Sequence, residues 1–158
     1  MILLTVGTQL PFDRLVRDVD AWAGQWKGRR VVAQVGNSSF QPRHLSQQPF
    51  FDALELENLF RQADAIVSHA GMGSILSAMK HRKPIIVMPR RADMGEHRND
   101  HQIATAQHLQ DRPGIHVAWD SRQLTEALNR IHALPPGALA SEHADPVFLG
   151  RLRSVLMG

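Results

Sequence analysis

The chain has 158 residues, with no cysteine and no tyrosine, and is 43% hydrophobic and 21% charged. That length suits one compact domain, and that balance excludes disordered and fibrous classes; the missing cysteine excludes disulfide scaffolds, thiolate zinc sites and cysteine nucleophiles. Net charge is only +3, and fifteen of the eighteen cations are Arg, so the high isoelectric point reflects missing titrants, and nucleic acid is not expected as a partner.

Met1 to Val6 is a continuous apolar run broken by Gly7. It is too short for a signal sequence or a membrane span and reads as a strand covered on both faces, in a cytoplasmic protein. Pro11 then starts a helix with Phe12, Leu15, Val16, Val19, Trp22, Ala23 and Trp26 on one stripe. Val31 to Val35 is the second strand, and residues 36–50 read as a long loop. Asp52 with Glu55 forms a capping box for a helix running through Gln62. Asp64 to Ser68 is a third strand, followed by Gly71, Gly73 and a helix from about Ser74 to His81. Pro84 to Met88 is a fourth strand, Arg98 to Leu109 a helix and Ile115 to Trp119 a fifth strand. Asp120 caps a helix carrying Leu124, Ala127, Leu128 and Ile131. Residues 134–144 form a linker, and Asp145-Pro146 opens a final amphipathic helix with Phe148, Leu149, Leu152, Val155 and Leu156 on one side. The alternation predicts an α/β fold, a Rossmann-like doubly wound parallel sheet over 1–133 with a linker and helix over 134–158.

Ligands of such sheets bind beyond the carboxyl ends of the strands. Three segments meet there: Gly7-Thr8-Gln9, Ser68 to Ser74, and Pro89-Arg90-Arg91 through Gln102. Gly71 and Gly73 have two readings. Either they bare backbone amides at a helix start for an anion, or they serve a tight turn that needs positive φ. His69 in that segment is a donor-site candidate; a lone histidine is otherwise a hydrogen-bonded core residue. The stretch from Arg90 to Gln102 suits sugar hydroxyls, with Arg90 or Arg91 pairing a phosphate or a carboxylate. His97 and His101 lie four apart, but no zincin glutamate or third ligand accompanies them, so no metal is expected.

Gly7-Thr8, Ser68-His69-Ala70-Gly71-Met72-Gly73-Ser74, Lys83-Pro84-Ile85-Ile86-Val87 and Asn99-Asp100-His101-Gln102 together resemble the C-terminal domain of glycosyltransferase family 28. The likeness covers about residues 1–110. It extends to the branch holding the catalytic subunit of the dolichol-pathway UDP-GlcNAc transferase and is strongest to the PssE-like bacterial branch of exopolysaccharide assembly. The resemblance implies the single donor-binding half of a GT-B enzyme, with no cofactor beyond its UDP-sugar. A membrane-anchored subunit would supply the acceptor half, hold the chain at the inner membrane face and present a lipid-linked saccharide acceptor. Position by position, Gly7 and Thr8 would lie near the donor phosphates. Gly71, Met72, Gly73 and Ser74 would hold the diphosphate, and His101 and Gln102 would read sugar hydroxyls. One departure is Ser77, where many members carry a ribose-binding Glu. Single displacement would invert the anomeric centre. The base stays open among Asp13, Glu96, His97 and the partner, and the Arg90-Arg91 pair would suit a glucuronic acid donor. The alternative is a non-catalytic nucleotide-sugar module that stabilises or regulates a partner transferase.

Overall fold

The computed structural model describes residues 1–137 and residue 150. Six parallel strands form one sheet: β1 (Ile2–Thr5), β2 (Val31–Gln34), β3 (Ser46–Gln48), β4 (Ala65–His69), β5 (Ile85–Met88) and β6 (Ile115–Val117). Their order is β3-β2-β1-β4-β5-β6, so the chain reverses direction across the sheet between β1 and β4. That reversal opens a crevice at the carboxyl ends of those two strands.

The apolar runs are strands because both of their faces are covered. Ile2, Leu4, Val31, Ala33, Val67 and Ile86 point to one face, where they meet α1 (Asp13–Gln25) and α5 (Ser121–Asn129). Leu3, Ile66, Ile85, Val87 and Ile115 point to the other, against α2 (Ala53–Gln62), α3 (Met72–Lys80) and α4 (His101–Leu109). Each fully buried aliphatic side chain contributes about 1.5–3 kcal/mol, and the alternation fixes the register of every strand.

Two expectations need correction. The predicted loop over 36–50 contains β3, a polar Ser-Gln-Gln edge strand that pairs through backbone alone with β2. No hydrophobic signal marks it because neither face enters the core. The helix predicted from Arg98 begins at His101, since the Asn99 Oδ1 accepts the His101 N–H at 3.0 Å and the Asp100 Oδ1 accepts the Ala92 N–H at 3.1 Å. His97 therefore lies in a turn, and the shared helix face expected of His97 and His101 does not form. The final helix expected from Asp145, with Phe148, Leu149, Leu152, Val155 and Leu156, lies outside the described residues.

Candidate functional site

A cleft of about 600 Å³ opens at the β1/β4 reversal, lined by Gly7, Thr8, His69, Gly71, Gly73 and Ser74 among others. Met72, Ser77, Arg90, His97, His101 and Gln102 also border it. The three motif segments thus meet in one place, as the topology requires.

The entrance of α3 is unlike those of α2 and α5. Asp52 and Glu55 form a complete capping box on α2, and Asp120 accepts the Gln123 N–H on α5. On α3 the N-cap is Gly71, with no side-chain cap and no acidic residue in the first turn. The N–H groups and the positive end of this helix are left facing the cleft. The two glycines then separate in role. Neither has positive φ, so the tight-turn reading fails for both. A Cβ on Gly73 would meet nothing within 4 Å. A Cβ on Gly71 would stand 2.1 Å from the Cε1 of His69, so Gly71 is bare to seat an imidazole. Gly7, at φ 79°, serves the same ring: its Cβ would lie 2.7 Å from the His69 Nε2.

Behind the amides lies a buried polar network. Arg90 is 3% exposed, Gln102 7% and His69 9%. Arg90 donates through Nη2 to the Val6 carbonyl at 2.7 Å and to the Leu10 carbonyl, and through Nη1 to the His69 Nδ1 at 2.9 Å. The guanidinium stacks on Phe12, 5.2 Å from the ring centre. The Gln102 Oε1 accepts the Ala70 and Arg90 N–H groups at 3.2 and 3.1 Å, while its Nε2 meets the His69 Nδ1 at 3.0 Å. Burial pulls the Arg90 pKa down to about 10, and burial together with the Arg90 and His97 charges holds His69 down to about 3. The network therefore carries one charge at neutral pH, on Arg90.

Five residues expected at the chemistry sit elsewhere or are already engaged. Arg91 points away from the cleft and pairs with Asp93 at 2.7 Å on the surface. With Arg90 turned inward, the expected carboxylate clamp of Arg90 and Arg91 does not form. Glu96 grips Arg14 through two 2.8 Å bonds and also accepts the Arg91 N–H, which makes it a loop anchor. Asp13 accepts from the Ser38 and Ser39 hydroxyls and the Ser39 N–H; these bonds outweigh burial and hold its carboxyl below the usual range. A carboxylate whose pKa is held low and whose oxygens are already occupied is a poor proton acceptor. Of the three proposed bases only His97 borders the cleft, with its pKa lowered chiefly by burial and then by Arg90. Gln102 is occupied by the network, leaving one Nε2 hydrogen for any other partner.

Sequence reasoning missed Thr5 and Gln34, both buried. The Gln34 Nε2 donates to the Thr5 Oγ1 and the Gly7 carbonyl, each at 3.2 Å, and its Oε1 accepts the Phe51 N–H at 2.9 Å. These bonds tie the Gly7 turn to the segment entering α2. A glutamine at the end of an apolar strand was the available signal. Among the described residues no group of three or more His, Asp or Glu is placed to hold a metal ion, and no helix is long and apolar enough to cross a membrane.

Comparison with known proteins agrees with this architecture. The family model described as the glycosyltransferase family 28 C-terminal domain matches residues 1–142. The UDP-N-acetylglucosamine transferase subunit ALG13 of Homo sapiens is 30% identical over 118 residues, covering 68% of this chain and 10% of that protein. The chain thus spans a small part of that relative. The solution structure of ALG13 superposes at a TM-score of 0.63 with 18% identity, covering 98% of this chain and 94% of that one. A crystal structure of the glycotransferase of kitacinnamycin superposes at 0.63 with 15% identity, covering 99% of this chain but 39% of that one. The fold is that of one Rossmann-like half of a GT-B glycosyltransferase.

Proposed function

Because the chain belongs to the glycosyltransferase family 28 C-terminal domain family, we propose that it is the donor-binding, catalytic subunit of a split inverting glycosyltransferase. It would take a UDP-sugar as donor and act with a membrane-anchored subunit that carries a lipid-linked saccharide acceptor, as in exopolysaccharide assembly. The carrying observation is the uncapped entrance of α3 beside a Gly73 whose missing side chain leaves open space. A diphosphate seated there would accept backbone N–H bonds at the positive end of the helix. As the acceptor hydroxyl attacks the anomeric carbon, the C1–O bond to the diphosphate breaks and negative charge grows on the leaving group. Fixed amides stabilise that charge, each at about 3 kcal/mol. Thr8 and Ser74 hydroxyls border the same space and would complete the set. With the charge met in this way the reaction needs no metal, so a chelator should leave turnover unchanged.

Human ALG13 is named for UDP-N-acetylglucosamine. The carboxylate clamp that favoured glucuronic acid is absent, so an uncharged N-acetylhexosamine is the donor this reading prefers. Ser77, at the position where many members carry a ribose-binding Glu, borders the cleft; its single hydroxyl offers the ribose one hydrogen bond. Calorimetry with UDP, UDP-N-acetylglucosamine and UDP-glucuronate tests the reading, with micromolar to submillimolar binding expected for the first two. Binding of none of the three would overturn it.

A second reading is favoured by the engagement of Asp13 and Glu96: with no carboxylate among the described residues that border the cleft, the chain would bind nucleotide-sugar without catalysing transfer. Adding the acceptor-binding subunit separates the two. Turnover in the mixture that is lost with Gly73→Leu in this chain supports the enzyme; turnover indifferent to that change supports the passive module.

A further inference from the structure

The His69 imidazole has one ring nitrogen whose role the surrounding atoms decide. The Gln102 Oε1 accepts two backbone N–H groups, from Ala70 and Arg90, so the amide cannot be turned around and its Nε2 is a donor. The Arg90 Nη1 is a donor at any accessible pH. Both point at the His69 Nδ1, at 3.0 and 2.9 Å. An atom approached by two donors must offer its lone pair, so Nδ1 carries no hydrogen and the ring proton sits on Nε2. That Nε2 lies at the cleft, in the gap left by the missing side chains of Gly7 and Gly71.

We propose that Arg90 and Gln102 are positioning residues that lock His69 in the Nε2–H tautomer, so that it presents a fixed, uncharged hydrogen-bond donor to the anionic ligand of the cleft. That this ligand is a nucleotide diphosphate rests on the reading above; the tautomer does not. The lock explains why a histidine is built in beside a cation: burial and the Arg90 charge together oppose a second protonation, and the Val6 and Leu10 carbonyls keep the guanidinium from turning outward to the ligand. The charged groups acting on His69 are Arg90 and His97, both of which oppose its protonation. The donor therefore keeps its form across the range in which free histidine titrates.

Nitrogen-15 spectra of the labelled full chain report the tautomer directly. The wild type should show a protonated Nε2 and a bare Nδ1 on His69, unchanged between about pH 5 and 8. Added UDP should move the Nε2 resonance more than the Nδ1 resonance. Gln102→Glu keeps both accepted backbone bonds but turns an acceptor toward Nδ1. In that variant the proton should appear on Nδ1, His69 should titrate within this pH range, and UDP affinity at pH 8 should fall about ten- to hundredfold, the size of one charge-assisted hydrogen bond. A wild-type ring protonated on Nδ1, or titrating near its ordinary value, overturns the proposal without recourse to any variant. A merely structural Gln102 would lose stability in Gln102→Glu while His69 kept its tautomer, and that result also overturns it. A chain that binds no UDP would remove the diphosphate, and the tautomer spectra would still decide the lock.

Discussion

Among the described residues, two clefts of nearly equal size lie at opposite edges of the sheet, about 600 Å³ at the carboxyl ends of the strands and about 610 Å³ at the amino ends. By residue count the amino-end cleft is the more attractive to an anion, since Arg29, Arg30, Arg82, Lys83 and His132 all border it. Those cations follow the carboxyl ends of α1, α3 and α5, where the negative ends of the helix dipoles favour them. Arg29 stacks on Trp22 and Trp26, with its charge 5.6 and 5.3 Å from the ring centres, and Arg30, Arg82 and His132 are exposed. The carboxyl-end cleft has fewer charges, but His69, Arg90, Gln102, Thr5 and Gln34 are fixed by buried partners before any ligand arrives. Preorganised donors lose no reorganisation energy on binding, whereas exposed Arg and Lys must be immobilised first. What marks the site is bracing rather than volume or charge.

Acid tests the bracing most severely. His69 is held neutral by burial and Arg90, with its pKa down at about 3, so the unfolded chain takes up a proton that the folded chain refuses. Stability is full above the unfolded pKa near 6.5 and falls as pH drops toward 3, by about 1.4 kcal/mol per pH unit from this group. Denaturant melts from pH 7 to 4 should show that loss, and His69→Asn, which keeps an acceptor toward Arg90 and Gln102, should flatten the slope. An unchanged slope would mean that His69 is not the buried neutral group described.

Gly71→Ala comes next. Its Cβ would collide with the His69 ring, and overpacking of this kind costs about 1–3 kcal/mol, read as a lower unfolding midpoint together with weakened UDP binding. Gly73→Leu separates the two glycines. Its Cβ meets nothing within 4 Å at an exposed position, so the melting temperature should stay level or rise while UDP affinity drops at least about tenfold. Equal effects of the two changes on stability would erase the distinction between a glycine that seats a ring and one that leaves room for a ligand. At the opposite edge, Arg30→Ala should change stability by less than about 0.5 kcal/mol and leave UDP binding untouched. Arg82→Gly should be the mildest, with a small gain, since Arg82 sits at φ 53° where glycine is unstrained.

The two edges were not equally legible in the sequence. The strands β1, β4 and β5 announced themselves as short apolar runs, and the strand–helix alternation pointed to the edge that holds the candidate cleft, because both follow from burial on two faces. The cleft's membership was readable for the same reason: Thr8, Gly71, Gly73 and Ser74 sit at strand ends that the topology must gather. Roles were less readable. Gly71 resembles Gly73 in one dimension, and only the folded path shows His69 turning back onto it. Arg90 and Glu96 are residue types that usually face solvent or substrate, and their burial depends on carbonyls and charges 80 or more positions away. The edge strand β3 escaped because backbone pairing alone holds it. Asp13 suited a base by its place after β1, yet two serines of the loop after β2 already occupy it.

A structure of the chain with UDP bound tests the central claim most directly. The diphosphate should lie against the N–H groups of Gly73 and Ser74, with the His69 Nε2 within hydrogen-bond distance and Arg90 still turned toward Val6 and Leu10. A diphosphate held instead by Arg29, Arg30 and Arg82 at the opposite edge would contradict it.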